Sequence, residues 1–428
     1  MTNNVGGGYS TESGMKVPKQ FPPNPFSKRI LPTRAHLQGM RAPSPVRFAH
    51  RNHLETAGDL WAIRKIASRR APKAVFDYVD GGSGSEITLK RQRDTFARVE
   101  FIPRVLVDIS HIDTSTTILG MKSDWPFAFG PTGFTRMMHH EGEVAVGRVA
   151  ARNNIVYALS TLGTTSLQDL ATCVPDGRKM FQLYIWRDRA FSRDLLAQAK
   201  EFGYDTVILT VDTPVAGLRL RDVRNGLAIP PKLSTKTLID ISLHPRWWFN
   251  LLTTSPLEFA SLSSTGGTVA DLVGRVFDPS LSLADLVWLR ENWQGHIIVK
   301  GIQSLDDAVM VSEEGANGIL LSNHGGRQLD RAPVPLELLP KVVQEVADAS
   351  EVFIDGGVMS GGDIVAAMAL GARAVFLGRA YLYGLMADGE AGVGRVVEIL
   401  KNEIVTQLSL MGVPSLAELK PEMVRNRD

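Results

Sequence analysis

The feature that most constrains the fold of this chain is a series of eight short apolar runs that alternate with amphipathic segments. The runs are FAFGP (127–131), IVYALS (155–160), MFQLY (180–184), TVILTVD (206–212), IIVKG (297–301), GILLSN (318–323), VFIDGG (352–357) and AVFLGR (374–379). Such apolar, β-branched runs are typical of parallel strands covered by helices on both faces. Eight of them over roughly 250 residues favour an α/β fold, the (β/α)8 TIM barrel, over a doubly wound sheet.

The segments between the runs begin with residues that commonly cap helices. Ser166 precedes LQDLA, Ser282 precedes LADLVWLR and Ser304 precedes LDDAVMVSEEG. The interval between the fourth and fifth runs is too long for one helix. We therefore expect a long insertion in the fourth βα loop, over residues 230–280.

Two regions precede the barrel, which we place at residues 126–420. Residues 1–54 are rich in Gly, Pro, Ser and basic residues, which is typical of a flexible basic arm that is solvated, clasps a neighbour or contacts anionic lipid. Residues 55–125 begin with helical periodicity that ends at Gly81-Gly82. We expect them to form an N-terminal helical extension that caps the barrel.

Composition excludes several classes of protein. The chain has 428 residues, 44% of them hydrophobic, and a net charge of only +2, so nucleic acid is not expected as a partner. The single cysteine, Cys173, excludes an internal disulfide and disfavours a Cys-ligated metal site; no metal is expected. No apolar stretch reaches the ~18 residues that span a bilayer, and the N-terminus lacks a secretory signal pattern. We expect a cytoplasmic protein.

Polar or glycine residues follow the predicted strands, at the end of the barrel where function gathers. They are Pro131, Thr132 and Gly133; Ser160; Gln182 and Tyr184; Thr210 and Asp212; Lys300; Ser322, His324 and Arg327; Asp355, Gly356 and Gly357; and Gly378 and Arg379. The glycine-rich ends of the last two strands favour phosphate binding, to which Arg379 adds a cation. The neutral groups of Ser160, Gln182 and Thr210 suit the edge of a flavin ring. Lys300 offers an ammonium beside a cofactor that gains negative charge on reduction.

The sixth strand end, SNHGGRQLD (322–330), places a titratable base three residues before a fixed cation, with only glycines between them. A lone histidine is more often a buried residue with satisfied hydrogen bonds. Here Asp212 can hold the imidazolium of His324, and Arg327 with Arg219 can grip a carboxylate bidentately. This set favours proton removal from a hydroxy acid.

Three other features of the sequence give weaker signals. GGSGSE (81–86) resembles a dinucleotide-binding loop, but it follows a predicted helix instead of a strand. His139-His140 has no partners at metal-ligand spacing. Cys173 lies between strands, which disfavours a barrel enzyme with a cysteine nucleophile. A second rival, a flavin-binding barrel without catalysis, conflicts with the intact base, carboxylate and arginine.

With these motifs, FDYVDGG, GPTGF, LST, FQLY, LTVDTP, VKG, SNHGGRQLD, DGG and LGRA, the chain resembles the FMN-dependent α-hydroxy acid dehydrogenase/oxidase family. That family includes glycolate oxidase, mandelate dehydrogenase and flavin-linked L-lactate dehydrogenases. The resemblance covers residues 55–420, and HPRWWF and RAYLYGLMA are most similar to bacterial L-lactate dehydrogenases. It implies FMN as cofactor, oxidation of an L-2-hydroxy acid (L-lactate) to the 2-keto acid (pyruvate), a quinone or another electron acceptor, and a homotetramer. An oxidase that uses oxygen, or a mandelate-type dehydrogenase with a bulkier substrate, is the alternative.

The resemblance also implies a role for each matching residue. Those that act on the substrate are His324 as base, Asp212 as its partner, Arg327 and Arg219 on the carboxylate, and Tyr184 and Tyr78 as hydrogen-bonding neighbours. Those that hold the flavin ring, ribityl chain and phosphate are Pro131, Thr132, Gly133, Ser160, Gln182, Thr210, Lys300, Ser322, Asp355, Gly356, Gly357, Gly378 and Arg379.

Three positions depart from the pattern of the family. Met359 stands where the family usually has an arginine, which removes one cation from the phosphate site and predicts weaker FMN binding. Leu162 stands where glycolate oxidase has a tryptophan, and Gly133 replaces an alanine. The last two predict a substrate with a larger side chain than glycolate.

The predicted insertion contains HPRWWFNLLTTSPLEF (244–259), with Trp247, Trp248 and Phe249 next to Arg246. Aromatic residues with a basic flank are typical of an interfacial membrane anchor. The alternative is an active-site lid that packs on the barrel or on a neighbouring subunit. Membrane contact would place the protein peripherally on the cytoplasmic face and favour a quinone as electron acceptor.

Overall fold

A computed structural model describes residues 22, 54–226, 234–261 and 277–427 of the chain. Nearly all of the predicted arm, residues 1–54, and part of the predicted insertion, residues 230–280, lie outside the described residues. The strands are β1 (Val99–Phe101), β2 (Thr116–Ile118), β3 (Met121–Ser123), β4 (Phe127–Phe129), β5 (Tyr157–Ser160), β6 (Lys179–Leu183), β7 (Thr206–Thr210), β8 (His296–Ile302), β9 (Gly318–Leu321), β10 (Glu351–Asp355), β11 (Ala374–Leu377) and β12 (Val424–Asn426).

Strands β4 to β11 close into a parallel barrel, and each coincides with one of the eight apolar runs. Consecutive strands are neighbours, and β11 pairs with β4 through the register of Phe376 with Ala128. A doubly wound sheet would leave two open edges, whereas this ring has none. The TIM barrel prediction is therefore confirmed.

Helices cover the outside of the barrel and also precede it. They are α1 (Leu60–Arg70), α2 (Lys73–Asp80), α3 (Ile87–Ala97), α4 (Thr135–Met138), α5 (Gly142–Arg152), α6 (Leu167–Cys173), α7 (Arg189–Glu201), α8 (Leu220–Asn225), α9 (Thr235–Ser242), α10 (Pro245–Leu252), α11 (Leu283–Asn292), α12 (Leu305–Glu313), α13 (Pro335–Val346), α14 (Gly361–Ala369) and α15 (Arg379–Met411). Within the described ranges, no helix has the length and apolar character needed to cross a membrane.

The predicted caps are confirmed at three helices. Ser166 accepts a hydrogen bond from the Asp169 N–H, and Ser304 accepts one from the Asp307 N–H. Ser282 forms a reciprocal capping box at the start of α11. Each cap satisfies an N–H group that has no partner inside its helix.

Side chains along the barrel strands alternate between the interior and the surrounding helices. The interior cluster contains Ala128, Val156, Ala158, Met180, Ile208, Ile298, Leu320, Phe353, Ala374 and Phe376. The hairpin of β2 and β3 adds Ile118 and Leu119 to this cluster, and the Leu119 N–H donates to Glu351 at the start of β10, at 2.8 Å. The hairpin therefore closes the amino end of the barrel, opposite the carboxyl ends of the strands.

The N-terminal helical pattern is confirmed, but it is divided into two helices. Ala71 is extended (φ −92°, ψ 147°) because Pro72 follows it and disfavours the helical conformation. Helix α2 ends at the predicted glycine pair, although Gly81 is extended (φ −73°) and not left-handed.

The loop GGSGSE, which follows a helix as predicted, docks this region on the barrel. The Ser83 N–H donates to the Gly326 carbonyl at 2.8 Å, and Asp330 accepts from the N–H groups of Ser85 and Thr88, both at 2.9 Å. These bonds bring the end of α2, with Tyr78, to the end of β9.

Candidate active site

A cavity of about 1080 Å³ opens at the carboxyl end of the barrel and extends towards the N-terminal helices. Asp212 and Ser322 do not line it but lie behind its wall, where they hydrogen-bond to His324 and Lys300. The other predicted site residues line it: Tyr78, Pro131, Thr132, Gly133, Ser160, Gln182, Tyr184, Thr210, Arg219, Lys300, His324, Arg327, Asp355, Gly356, Gly357, Gly378 and Arg379.

His324 stands on a strained turn directly after β9. Its φ of 57° lies in the left-handed region, which residues other than glycine rarely adopt. Two side chains enforce the turn: Ser322 Oγ accepts the His324 N–H, and Asn323 Oδ1 accepts the Gly326 N–H, both at 3.0 Å. Strain that neighbours enforce is often found at functional sites. The turn fixes the imidazole in the cavity wall.

A carboxylate holds one nitrogen of this imidazole. His324 Nδ1 lies 3.0 Å and 3.1 Å from the two carboxylate oxygens of Asp212. The glycine of the VKG motif makes room for that carboxylate, because a Cβ on Gly301 would lie 2.7 Å from the Asp212 Cβ. With Nδ1 engaged, Nε2 is the nitrogen that remains for a ligand in the cavity.

The environment of the pair tunes both groups towards base chemistry. Burial lowers the pKa of His324 below its usual value, and the Asp212 carboxylate opposes that shift only in part. Burial acts to raise the pKa of Asp212, but His324 and Lys300 outweigh it and the net shift is downward. At neutral pH the imidazole is therefore neutral and able to accept a proton, while Asp212 is charged and able to stabilise the cation that forms.

Two arginines face the cavity around one tyrosine ring. The Arg327 guanidinium lies 4.9 Å from the centre of the Tyr78 ring, and that of Arg219 lies 5.9 Å from it. Arg327 Nη1 donates to the Tyr78 and Gly81 carbonyls, which docks the arginine on the end of α2. Burial, with the repulsion of Arg219, lowers the pKa of Arg327 to about 9. A bound carboxylate would relieve this repulsion.

Lys300 provides a buried ammonium in the cavity wall, close enough to Asp212 and His324 to influence both. Its Nζ donates to Ser322 Oγ at 2.9 Å and lies 3.3 Å from Asp355 Oδ2. Burial acts to lower the pKa of Lys300, but Asp355 and Asp212 raise it above its usual value. The group is a fixed positive charge in the cavity wall.

Buried polar atoms without partners test whether a flavin fits this wall. Among the described residues, Gln182 Nε2, Thr210 Oγ1 and Asp355 Oδ1 are buried and have no hydrogen-bond partner. Gln182 is fixed by its other end, because its Oε1 accepts from Ser160 Oγ at 2.8 Å. Unmet polar groups in a buried wall call for a ligand with complementary atoms. The Gln182 N–H and the Thr210 hydroxyl suit the polar edge of an isoalloxazine. The Asp355 carboxylate, beside Lys300, suits the hydroxyls of a ribityl chain. The residues present therefore fit FMN.

Glycines shape the far end of the cavity. Gly356 (φ 88°) and Gly357 (φ 79°) are both left-handed, and a Cβ on Gly378 would meet no atom within 4 Å, which leaves open space before α15. Arg379, the first residue of α15, donates from Nε to the Val79 carbonyl at 2.8 Å and from Nη1 to the Gly325 carbonyl at 2.8 Å. A glycine turn beside the N-terminus of a long helix suits a phosphate.

Gly133 and Leu162, the two departures that predict a larger substrate, lie against each other. A Cβ on Gly133 would lie 3.0 Å from the Leu162 Cβ, so the volume of the missing methyl group is already taken by Leu162. Thr132 is also engaged within the protein, since its Oγ1 lies 2.7 Å from the Tyr381 hydroxyl.

Sequence reasoning missed part of the cavity wall. An aromatic cluster surrounds Tyr184: Phe134 packs on Phe259 with ring centres 4.4 Å apart, and Phe277 packs on Tyr184 at 6.2 Å. Phe259 and Phe277 belong to the insertion, whose path the local pattern does not predict. Cavity-lining residues without a sequence signal include Trp61, Arg93, Phe134, Asp222, Phe259 and Phe277.

Comparisons with known proteins agree with this geometry. The model of the FMN-dependent dehydrogenase family matches residues 67–426. The chain is 54% identical over 362 residues to the "Putative L-lactate dehydrogenase" of Mycobacterium tuberculosis, covering 85% of this chain and 87% of that protein. It is 38% identical to an L-lactate dehydrogenase of Caulobacter vibrioides, over 85% of this chain and 97% of that one. The structure of a monotopic membrane protein, (S)-mandelate dehydrogenase, superimposes with a TM-score of 0.84 at 39% identity, covering 87% of this chain and 100% of that chain.

Proposed function

Since the chain belongs to the FMN-dependent dehydrogenase family, we propose that it oxidises L-lactate, an L-2-hydroxy acid, to pyruvate. The observation that carries the proposal is the cavity itself, where a neutral histidine held by a buried carboxylate faces two arginines. The histidine suits the hydroxyl-bearing carbon of a hydroxy acid, which must lose a proton. The two arginines suit its carboxylate, which keeps its negative charge.

Each residue then has a defined task. Arg327 and Arg219 bind the substrate carboxylate, and the hydroxyl groups of Tyr184 and Tyr78 hydrogen-bond its oxygens. Burial raises the pKa of Tyr184 above its usual value, so its phenol stays protonated and can donate. These contacts direct the hydroxyl-bearing carbon towards the free nitrogen of His324.

Proton transfer is the chemical step that the chain performs. The oxidation removes two protons and two electrons from the hydroxy acid. His324 accepts one proton, either from the α-carbon or from the hydroxyl group, and Asp212 stabilises the imidazolium. FMN held by the residues above would supply the two-electron oxidant: it would take up the two electrons with the equivalent of the second proton, and the electrons would then leave to a second acceptor.

The aromatic cluster favours a second candidate substrate. Phe134, Leu162, Phe259 and Phe277 line the cavity near Tyr184, and an apolar wall of this size suits a larger side chain than the methyl group of lactate. A mandelate-type activity is therefore the alternative. The test is to supply L-lactate, D-lactate, (S)-mandelate or glycolate with an artificial electron acceptor and to quantify each keto acid. We expect the highest kcat/KM with L-lactate, and a preference for (S)-mandelate would replace lactate in the proposal.

For the electron acceptor we propose a quinone, reached by peripheral contact with the cytoplasmic face of the membrane. The described part of the insertion supports this: Leu238, Ile239, Leu243 and Phe249 are between 51% and 71% exposed, on the consecutive helices α9 and α10 and, for Leu243, at the end of α9. The sequence also allowed a lid, and some of the insertion does pack on the barrel, because Trp247 Nε1 donates to the Met137 carbonyl at 2.8 Å.

Vesicle flotation tests the membrane contact. Wild-type protein is expected to float with anionic phospholipid vesicles, whereas I239E/L243E is expected to stay in solution, since two charges cannot enter an apolar interface without a large cost. Leu410, 72% exposed on α15, gives the matched control L410E, which should float normally. Equal flotation of both variants, or none by the wild type, would contradict the proposal.

We also propose a homotetramer, with the loop at Val105 and Leu106 in a subunit contact. The two side chains are 81% and 103% exposed, and Leu106 has a left-handed φ of 60°. An apolar side chain held in a strained conformation in full exposure suits burial by a second copy. Light scattering should give four chains for the wild type and fewer for L106D. A monomeric wild type would refute this.

A further inference from the structure

The end of the cavity that Gly356, Gly357 and Gly378 shape is called the phosphate end below. One cation at this end comes from outside the barrel. Arg93 lies on α3 and lines the cavity beside the turn that follows β10. Its Nη1 donates to the Gly357 carbonyl and to Asp363 Oδ2, the latter at 2.6 Å. Among the described residues its Nε and Nη2 have no hydrogen-bond partner. The guanidinium is thus held at one nitrogen and keeps N–H groups for a ligand.

The position of Arg93 is set by the docking of α3 on the glycine turn. Gln92, its neighbour, is buried, and its Nε2 donates to Asn323 Oδ1 at 2.8 Å. A Cβ on Gly356 would lie 2.6 Å from Gln92 Oε1, and one on Gly357 would lie 2.8 Å from the Gln92 Cβ. The helix and the turn therefore meet at a distance that only glycine allows, and Arg93 is held against the turn.

The phosphate of FMN needs more positive charge at this end than Arg379 alone supplies. Arg379 already donates to three backbone carbonyls, those of Val79, Gly325 and Gly81, which uses three of its five N–H groups. Met359, which also lines the cavity and is 7% exposed, contributes no charge. A phosphate monoester carries a charge of about −1.5 to −2 at neutral pH, more than one guanidinium balances.

We propose that Arg93 is a cofactor-binding residue that supplies the second fixed cation for the phosphate of FMN, in the place that Met359 leaves without charge. This rests on the proposed function only for the identity of the cofactor. Both residues line the cavity, with the Arg379 guanidinium anchored at Gly325 and that of Arg93 at Gly357, and in this proposal the phosphate lies between the two.

The test compares two flavins that differ only in the phosphate. FMN or riboflavin is titrated into apoprotein, and binding is followed by the flavin fluorescence. For R93M we expect the Kd of FMN to rise about tenfold or more, the size of a charge-assisted hydrogen bond, while the Kd of riboflavin is unchanged. Adding M359R to R93M returns a cation to the same place and should restore most of the FMN affinity.

Two further variants keep the test decisive. R93Q also removes the charge but keeps a polar side chain. If R93M fails to fold, R93Q should show the same selective loss of FMN affinity. R91M is the matched control, because Arg91 lies on the same helix but pairs with Glu337 at 2.9 Å; it should bind both flavins normally. The proposal is overturned if the substitutions at Arg93 weaken riboflavin and FMN equally, or change neither. Because no turnover is measured, this outcome is independent of which hydroxy acid the enzyme oxidises.

Discussion

The two ends of the cavity hold charge in different ways. At the substrate end, His324 is paired side chain to side chain with Asp212, so its charge can change while its position does not. At the phosphate end, Arg379 is tied to backbone carbonyls, Arg93 is tied to one carbonyl and to the Asp363 carboxylate, and glycines supply space and N–H groups. A group that must gain and lose a proton needs a compensating partner, whereas a group that holds a permanent anion needs only a fixed cation. The comparison predicts that substitutions at one end alter catalysis and those at the other alter flavin affinity.

Removal of the base should have the largest effect. H324Q is expected to lower kcat about 10²–10⁴-fold, the usual contribution of a general base, with the FMN Kd unchanged, because His324 contributes nothing to the phosphate end. Stopped-flow reduction of the bound flavin measures the rate, and fluorescence titration measures the affinity. A large loss of FMN affinity in H324Q would contradict the prediction that the two ends act separately on catalysis and on flavin affinity.

Loss of the carboxylate partner should come next. In D212N the imidazolium is no longer stabilised, and we expect kcat to fall roughly 10²-fold. Asp212 raises the pKa of His324 against the dominant effect of burial, so its removal lowers that pKa further. The base is active when deprotonated; the acid limb of kcat/KM should therefore lie below pH ~6.5 in the wild type and move to still lower pH in D212N. A limb that moves to higher pH would contradict the pairing.

The carboxylate clamp should affect substrate binding more than the chemical step. R327M is expected to raise KM about 10–100-fold, the value of a charged hydrogen-bonded pair, with a smaller effect on kcat. R327K keeps the charge but loses the bidentate geometry, so it should fall between R327M and the wild type. Steady-state kinetics with L-lactate give both values. A loss confined to kcat would remove Arg327 from the clamp.

The smallest effect is expected at the apolar wall. L162A should shift the ratio of kcat/KM for (S)-mandelate over L-lactate upward by up to about tenfold, because a few methylene groups in a pocket discriminate only weakly. Parallel assays with the two acids provide the ratio. An unchanged ratio would mean that Leu162 only fills the space beside Gly133.

Sequence patterns predicted most of the barrel and much of its site for a physical reason. Strands buried on both faces produce unbroken apolar runs, and the residue after each run is fixed at the carboxyl end by the fold itself. This places His324, Arg327 and Lys300 in one cavity from their positions along the chain. The prediction could not tell Asp212 and Ser322, which lie behind the wall, from the residues that line it, because side-chain direction after a strand depends on the turn.

What the sequence did not predict depends on how elements dock. Arg93 has no motif, and it reaches the cavity only because α3 meets the glycine turn of β10 through Gln92. Phe259 and Phe277 reach Tyr184 from an insertion without a repeating pattern. The path of a loop and the face that a helix turns to a barrel are set by tertiary contacts, which local periodicity does not contain.

The most direct test of the central claim, that His324 held by Asp212 is the base when a hydroxy acid is oxidised by the bound flavin, is anaerobic reduction. L-lactate is mixed with the FMN-loaded wild type and with FMN-loaded H324Q, and the flavin absorption band is followed without oxygen. We predict rapid loss of the band in the wild type and almost none in H324Q, although both hold FMN. If the wild type is not reduced by L-lactate, (S)-mandelate or glycolate, or if H324Q is reduced equally fast, the assignment of His324 as the base is wrong.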